Sequence, residues 1–258
     1  MINIQNDLFS FPRFKAYLRK LWHERWRRLA LAVGVLFGIL LVIEFWVAFI
    51  NYDVSLANVS TDNVSTDYAR NDIILFSALI CLVGGSISAT QMFTDGQQKG
   101  GRIHVLTTPV STLEMWLSRW LIYVLGFVVV FAVCFYVADT LRVLAFSAYP
   151  YVRYVNVFSE TGIPQMAWYF YPFFVSWFVL GCYFFPKHPI LATGVTVFVG
   201  AIVFIMLMVT VSSPWYDGTD SQEKVAIVVT KVWLVGQTLL NYWLSCRRLK
   251  ELEVIDHY

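Results

Sequence analysis

Six runs of about twenty mostly apolar residues divide the chain, at roughly 29–50, 72–93, 120–145, 166–185, 190–211 and 225–245. A helix that crosses the roughly 30 Å hydrocarbon layer of a bilayer needs about 20 such residues. In lipid the backbone must satisfy its own hydrogen bonds, which a helix does within one segment. The pattern therefore predicts an all-α polytopic membrane protein with six transmembrane helices. Composition agrees: 58% of the 258 residues are hydrophobic and 14% are charged. Soluble domains carry about 45–50% apolar and about 25% charged residues. Pro186 and Pro189 bracket Lys187 and His188, so the fourth and fifth runs are expected to form a helical hairpin.

Lysine and arginine placement predicts orientation. Before the first run stand Arg13, Lys15, Arg19, Lys20, Arg25, Arg27 and Arg28. Lys99, Arg102 and Arg119 lie in the second connection, Lys187 in the fourth, and Arg247, Arg248 and Lys250 in the tail. The opposite connections hold Arg70, Arg142, Arg153 and Lys224. This bias places both ends in the cytoplasm, in a multi-pass protein of the bacterial cytoplasmic (inner) membrane.

Three regions follow: a cytoplasmic amphipathic interfacial segment at 1–28, a six-helix transmembrane domain at 29–245, and a cytoplasmic tail at 246–258. In the first, Phe11, Phe14, Leu18, Leu21, Trp22 and Trp26 recur at helical spacing with cations between them, which suits a helix lying on lipid headgroups. The basic stretch is too long for a signal peptide, and no A-x-A-like site follows it. The first connection repeats Asn58-Val-Ser-Thr-Asp62 as Asn63-Val-Ser-Thr-Asp67, read as a variation in loop length.

No P-loop, H-E-x-x-H or G-x-S-x-G pattern occurs. The glycine-rich Asp95–Gly101 stretch lacks the Gly-Lys-Ser/Thr order and reads as a flexible loop. His23, His104, His188 and His257 are scattered, and Cys81, Cys134, Cys182 and Cys246 sit in or beside apolar runs without metal spacing. The chain is thus expected to be no enzyme, to hold no metal or cofactor, and to bind no nucleic acid.

Ionisable groups inside a membrane are costly and mark functional candidates. Glu44, Asp139 and Lys231 qualify as a polar path across the domain. The bland alternative is that they are structural or near-interface groups. Asp139 and Arg142 have the i,i+3 spacing that lets them pair on one helix face. Lys231 is placed to snorkel or to meet Glu44. Gly34-x-x-x-Gly38 and the small residues from Gly84 to Ala89 fit close helix packing.

The segment 94–119 is the most informative. Ser111 and Glu114 have capping-box spacing, so a helix should begin at Thr112, run along the surface through Trp116 and Arg119, and enter the third span. Before it, Arg102, Ile103, His104, Val105 and Leu106 can form one or two helical turns ended by Pro109. A short helix, a proline break and a capped helix feeding a span make a handle that a soluble partner could push.

This segment resembles the permease subunits of ABC-2 type ABC transporters, in which a basic glycine-containing loop leads to L-x-x-P-V-S-x-x-E. Here the residues are Lys99-Gly-Gly-Arg102, then Leu106-Thr-Thr-Pro109-Val110-Ser111-Thr-Leu-Glu114. Met115 stands where the family often has a lysine. The likeness extends to the amphipathic N-terminal helix and the six spans. It implies a coupling helix over 100–108 that docks on a separate ATPase subunit, which would hold ATP and magnesium. It further implies a second permease subunit, as homo- or heterodimer, and transport directed outward. Two other readings stay open: a non-catalytic membrane scaffold or immunity-type component, and a membrane-embedded enzyme acting on lipid.

Overall fold

Apart from Phe185, the apolar runs are helical throughout in the computed structural model, which describes residues 9–58, 67, 69–93, 110–149, 152–155, 165–185, 188–212 and 220–255. At 53–58, 165–167, 203–212, 220–226 and 252–255 the description covers the backbone only. The helices are α1 (Phe11–Asn58), α2 (Arg70–Thr90) with a 3-10 turn at Gln91–Phe93, and α3 (Thr112–Trp120). A π-helical turn (Leu121–Leu125) carries α3 into α4 (Gly126–Ala145). Then come α5 (Gln165–Phe184), α6 (Pro189–Ser212) and α7 (Asp220–Ile255). Among the described residues there is no strand.

Among the described residues, three stretches are long and apolar enough to cross a membrane: Phe11–Tyr52, Arg70–Phe93 and Thr112–Ala145. Much of their surface is bare hydrocarbon. Val42, Trp46 and Phe49 on α1, Leu75, Leu79 and Val83 on α2, and Val129, Val133 and Val137 on α4 are all exposed. Soluble monomers rarely leave apolar stripes of this extent open. With the length of the helices, this marks an integral membrane protein.

The chain divides into two units. One comprises Met1–Tyr17, Ser86–Val124 and Met166–Tyr258; the other comprises Leu18–Gly85 and Leu125–Gln165. In the first, α3 packs on α7: the Trp116 indole N–H donates to Ser245 Oγ at 3.0 Å, and Trp116 and Trp120 both meet Tyr242 edge-on. Asn241 on α7 donates to Ser176 Oγ on α5 at 3.0 Å, and Phe173 packs on Trp233. Close approach of α5 and α6 depends on Gly181, where a Cβ would lie 1.8 Å from Thr193 Oγ1. Pro172 inside α5 has no N–H to donate, so one backbone hydrogen bond of that helix is missing.

In the second unit, one stripe of α1 (Leu40, Val47, Ala48 and Tyr52) meets Ile73 of α2 and Cys134, Phe135 and Ala138 of α4, with Ala69 and Val155 completing the core. Val47 and Ala48 lie seven and eight residues after Leu40, and Tyr52 four after Ala48, spacings that keep these α1 residues on one helix face. A Cβ at Gly84 would lie 2.8 Å from the Phe127 ring, so this glycine lets α2 approach α4.

Two details depart from the expectations above. The basic stretch 11–28 and the first apolar run are one uninterrupted helix, α1, without a boundary near residue 28. And α3 does not simply run along the surface: its charged residues Glu114 and Arg119 are buried, with Met115 and Ser118.

Candidate functional site

Two buried charged centres organise the described residues, one in each unit. The first is built on α3. Ser111 is extended (φ −67°, ψ 151°), so its side chain faces the open end of the helix, and Ser111 Oγ accepts from the Glu114 amide at 3.3 Å. Glu114 Oε2 accepts from the Ser111 N–H at 3.1 Å, completing the capping box that the spacing predicts. The other carboxylate oxygen does something no local motif encodes. Oε1 accepts from the Ser10 backbone N–H and pairs with Arg13 Nη2 at 3.4 Å, at the start of α1.

Further along α3, the buried Arg119 donates from Nη1 to the Met92 carbonyl at 3.3 Å and lies over the Phe93 ring, 5.7 Å from its centroid. Arg119 was counted among the cationic loop residues, but it is held in the protein because an acceptor and an aromatic face await it. Trp116 holds the same helix to α7. So α3 is fastened to the start of α1, the end of α2 and the body of α7. Of the remaining residues assigned to the coupling segment, Arg102, Ile103, His104, Val105, Leu106 and Pro109 lie outside the described residues.

The second centre is Arg142, fully buried near the end of α4. Its Nε and Nη2 donate to Asp139 Oδ1 at 3.0 and 2.6 Å, confirming the i,i+3 pair. Its Nη1 donates to Asp67 Oδ2 at 3.0 Å and to the Tyr52 hydroxyl, and Nη2 also donates to the Arg153 carbonyl at 2.8 Å. The acids are satisfied in turn. Asp139 Oδ2 accepts from the Val155 N–H at 3.0 Å, and Asp67 accepts from the Ala69 and Arg153 amides and from Tyr52. Arg142 is therefore no connection cation, as the charge count took it to be, but the hub of a closed network. Such a hub fits a guanidinium, whose planar fork serves several acceptors at once.

Asp67 and Tyr52 are the residues that sequence reading missed. In the sequence Asp67 is only the end of a loop repeat, and Tyr52 has no motif around it. Of the three candidates for an intramembrane path, Asp139 belongs to this network. Glu44 lies on the same stripe of α1 as Leu40, Val47 and Ala48 and is 2% exposed, and among the described residues neither of its carboxylate oxygens has a hydrogen-bond partner. Asp139 and Arg142 are within its electrostatic reach. Lys231, in the other unit, places its ammonium 5.5 Å from the centroid of the Tyr169 ring. Among the described residues, no three His, Cys, Asp or Glu side chains are grouped to hold a metal ion.

Compared with models of protein families, with curated proteins and with solved structures, the chain matches none.

Proposed function

We propose that the chain is a permease subunit of an ATP-driven, ABC-2 type exporter. It has six spans with both ends in the cytoplasm, and it pairs with a second permease subunit and a separate ATPase. The observation that carries this reading is the fastening of α3. The helix directly behind the Leu106–Glu114 motif is tied to α1, α2 and α7 through Glu114, Arg119 and Trp116. A push received on residues 100–108 would reach three helices through one short rigid element, which is what coupling to an ATPase requires. Lipid surrounds the apolar faces, and ATP and magnesium belong to the partner.

The test is recovery of the protein from its native membranes in mild detergent. A stoichiometric P-loop ATPase is expected to co-purify and to be lost on Leu106→Asp, with membrane insertion of the variant unchanged. Repeated clean recovery without an ATPase would reject the proposal.

A further inference from the structure

Four buried ionisable side chains of the second unit share one positive charge. Arg142 is the cation; Asp67, Asp139 and Glu44 are the acids. The guanidinium is spent on Asp139, Asp67, the Tyr52 hydroxyl and the Arg153 carbonyl. With Asp67 and Asp139 ionised, the cluster already carries one negative charge in excess. An ionised Glu44 would add a second, 2% exposed on the α1 stripe whose Leu40, Val47 and Ala48 belong to the apolar core. A charge without a partner in such surroundings is far costlier than a neutral polar group.

The other groups on the elements packed here do not relieve it. On α4 they are Asp139, Arg142, Cys134 and Tyr136; on α2, Cys81, with Arg70 and Asp72 in its first turn; at the end of the stripe, Tyr52 and Asp67, with Tyr149 stacked on Tyr52. Of the described groups, Asp139 and Arg142 act on Glu44 electrostatically, and the cation of the two, Arg142, is engaged. A metal cation would also find a poor site, because no three potential ligand side chains are grouped among the described residues. A proton needs a single oxygen, and Glu44 offers two without partners.

We propose that Glu44 is a proton-binding site inside the α1–α2–α4 unit, occupied at neutral pH. The carboxylate takes one proton from solution and becomes the neutral acid; no other bond changes. This inference stands apart from the permease reading, since it needs neither an ATPase nor a second subunit.

Infrared spectroscopy of the full chain in an ester-free detergent tests it. At neutral pH the wild type is expected to show the carbonyl stretch of a protonated carboxylic acid, shifted in heavy water and lost in Glu44→Gln. Glu44→Leu, which suits the apolar neighbours, gives the same comparison should Glu44→Gln fail to accumulate. Wild-type and variant spectra that coincide in this region would mean that residue 44 carries no proton, and would overturn the proposal.

Discussion

The region around Glu114 and the region around Arg142 each bury a charge completely, and they satisfy it by different means. Glu114 draws mainly on backbone: the amides of Ser111 and Ser10 donate to it, and Arg13 adds a half-exposed ion pair. Arg142 draws on side chains that themselves need partners, namely Asp139, Asp67 and Tyr52. Backbone donors stay in place when neighbouring side chains change. In the side-chain network, loss of one member leaves the others buried and unpaired. The first region should therefore tolerate substitution, and the second should not.

The sharpest way to break this contrast is Arg142→Met. It leaves Asp67 and Asp139 without their cation, and removal of one partner from a buried ionic network costs about 3–5 kcal/mol. Thermal unfolding in detergent should show a large drop, or the variant should fail to accumulate. Wild-type stability would mean the network contributes little. A smaller effect is expected from Glu114→Ala, which keeps the Ser111 cap but removes the return half of the capping box and leaves the Ser10 and Ser111 N–H groups unmatched; unmatched donors of this kind cost about 1–3 kcal/mol. The same melting experiment should rank it clearly below Arg142→Met. The smallest effect belongs to Arg13→Ala. Its contact is 3.4 Å long and its side chain is 39% exposed. Such pairs are worth about 0–1 kcal/mol and weaken with salt. A melting point that moves as far as that of Glu114→Ala would show that the side chain, rather than the backbone, holds Glu114.

What sequence reading captured in both regions was local. The Ser111–Glu114 spacing predicts a capping box, and Asp139–Arg142 predicts a pair, because three residues along a helix fix both geometries in advance. The apolar runs located the helices for the same reason. The partners of those motifs were not legible. Ser10 meets Glu114 across 104 residues, and Asp67 meets Arg142 across 75. No spacing encodes such a contact; it exists only once helices have packed. Burial was misjudged on the same ground. Arg119 and Arg142 look like solvated loop cations in a linear count, and only tertiary packing supplies Met92, Phe93, Asp67 and Tyr52 around them.

The order in which the partners of Arg142 become available bears on how the protein is made. Asp67 and Tyr52 leave the ribosome well before Arg142, yet they can reach it only after α1 and α4 have come together. Asp139 is one helical turn away, so it can neutralise Arg142 as soon as that turn forms. The nascent α4 can then enter lipid carrying an internal ion pair rather than a bare cation, which lowers the barrier that a lone arginine would raise. Asp139 is thus the one acid of the finished network that the helix of Arg142 supplies by itself.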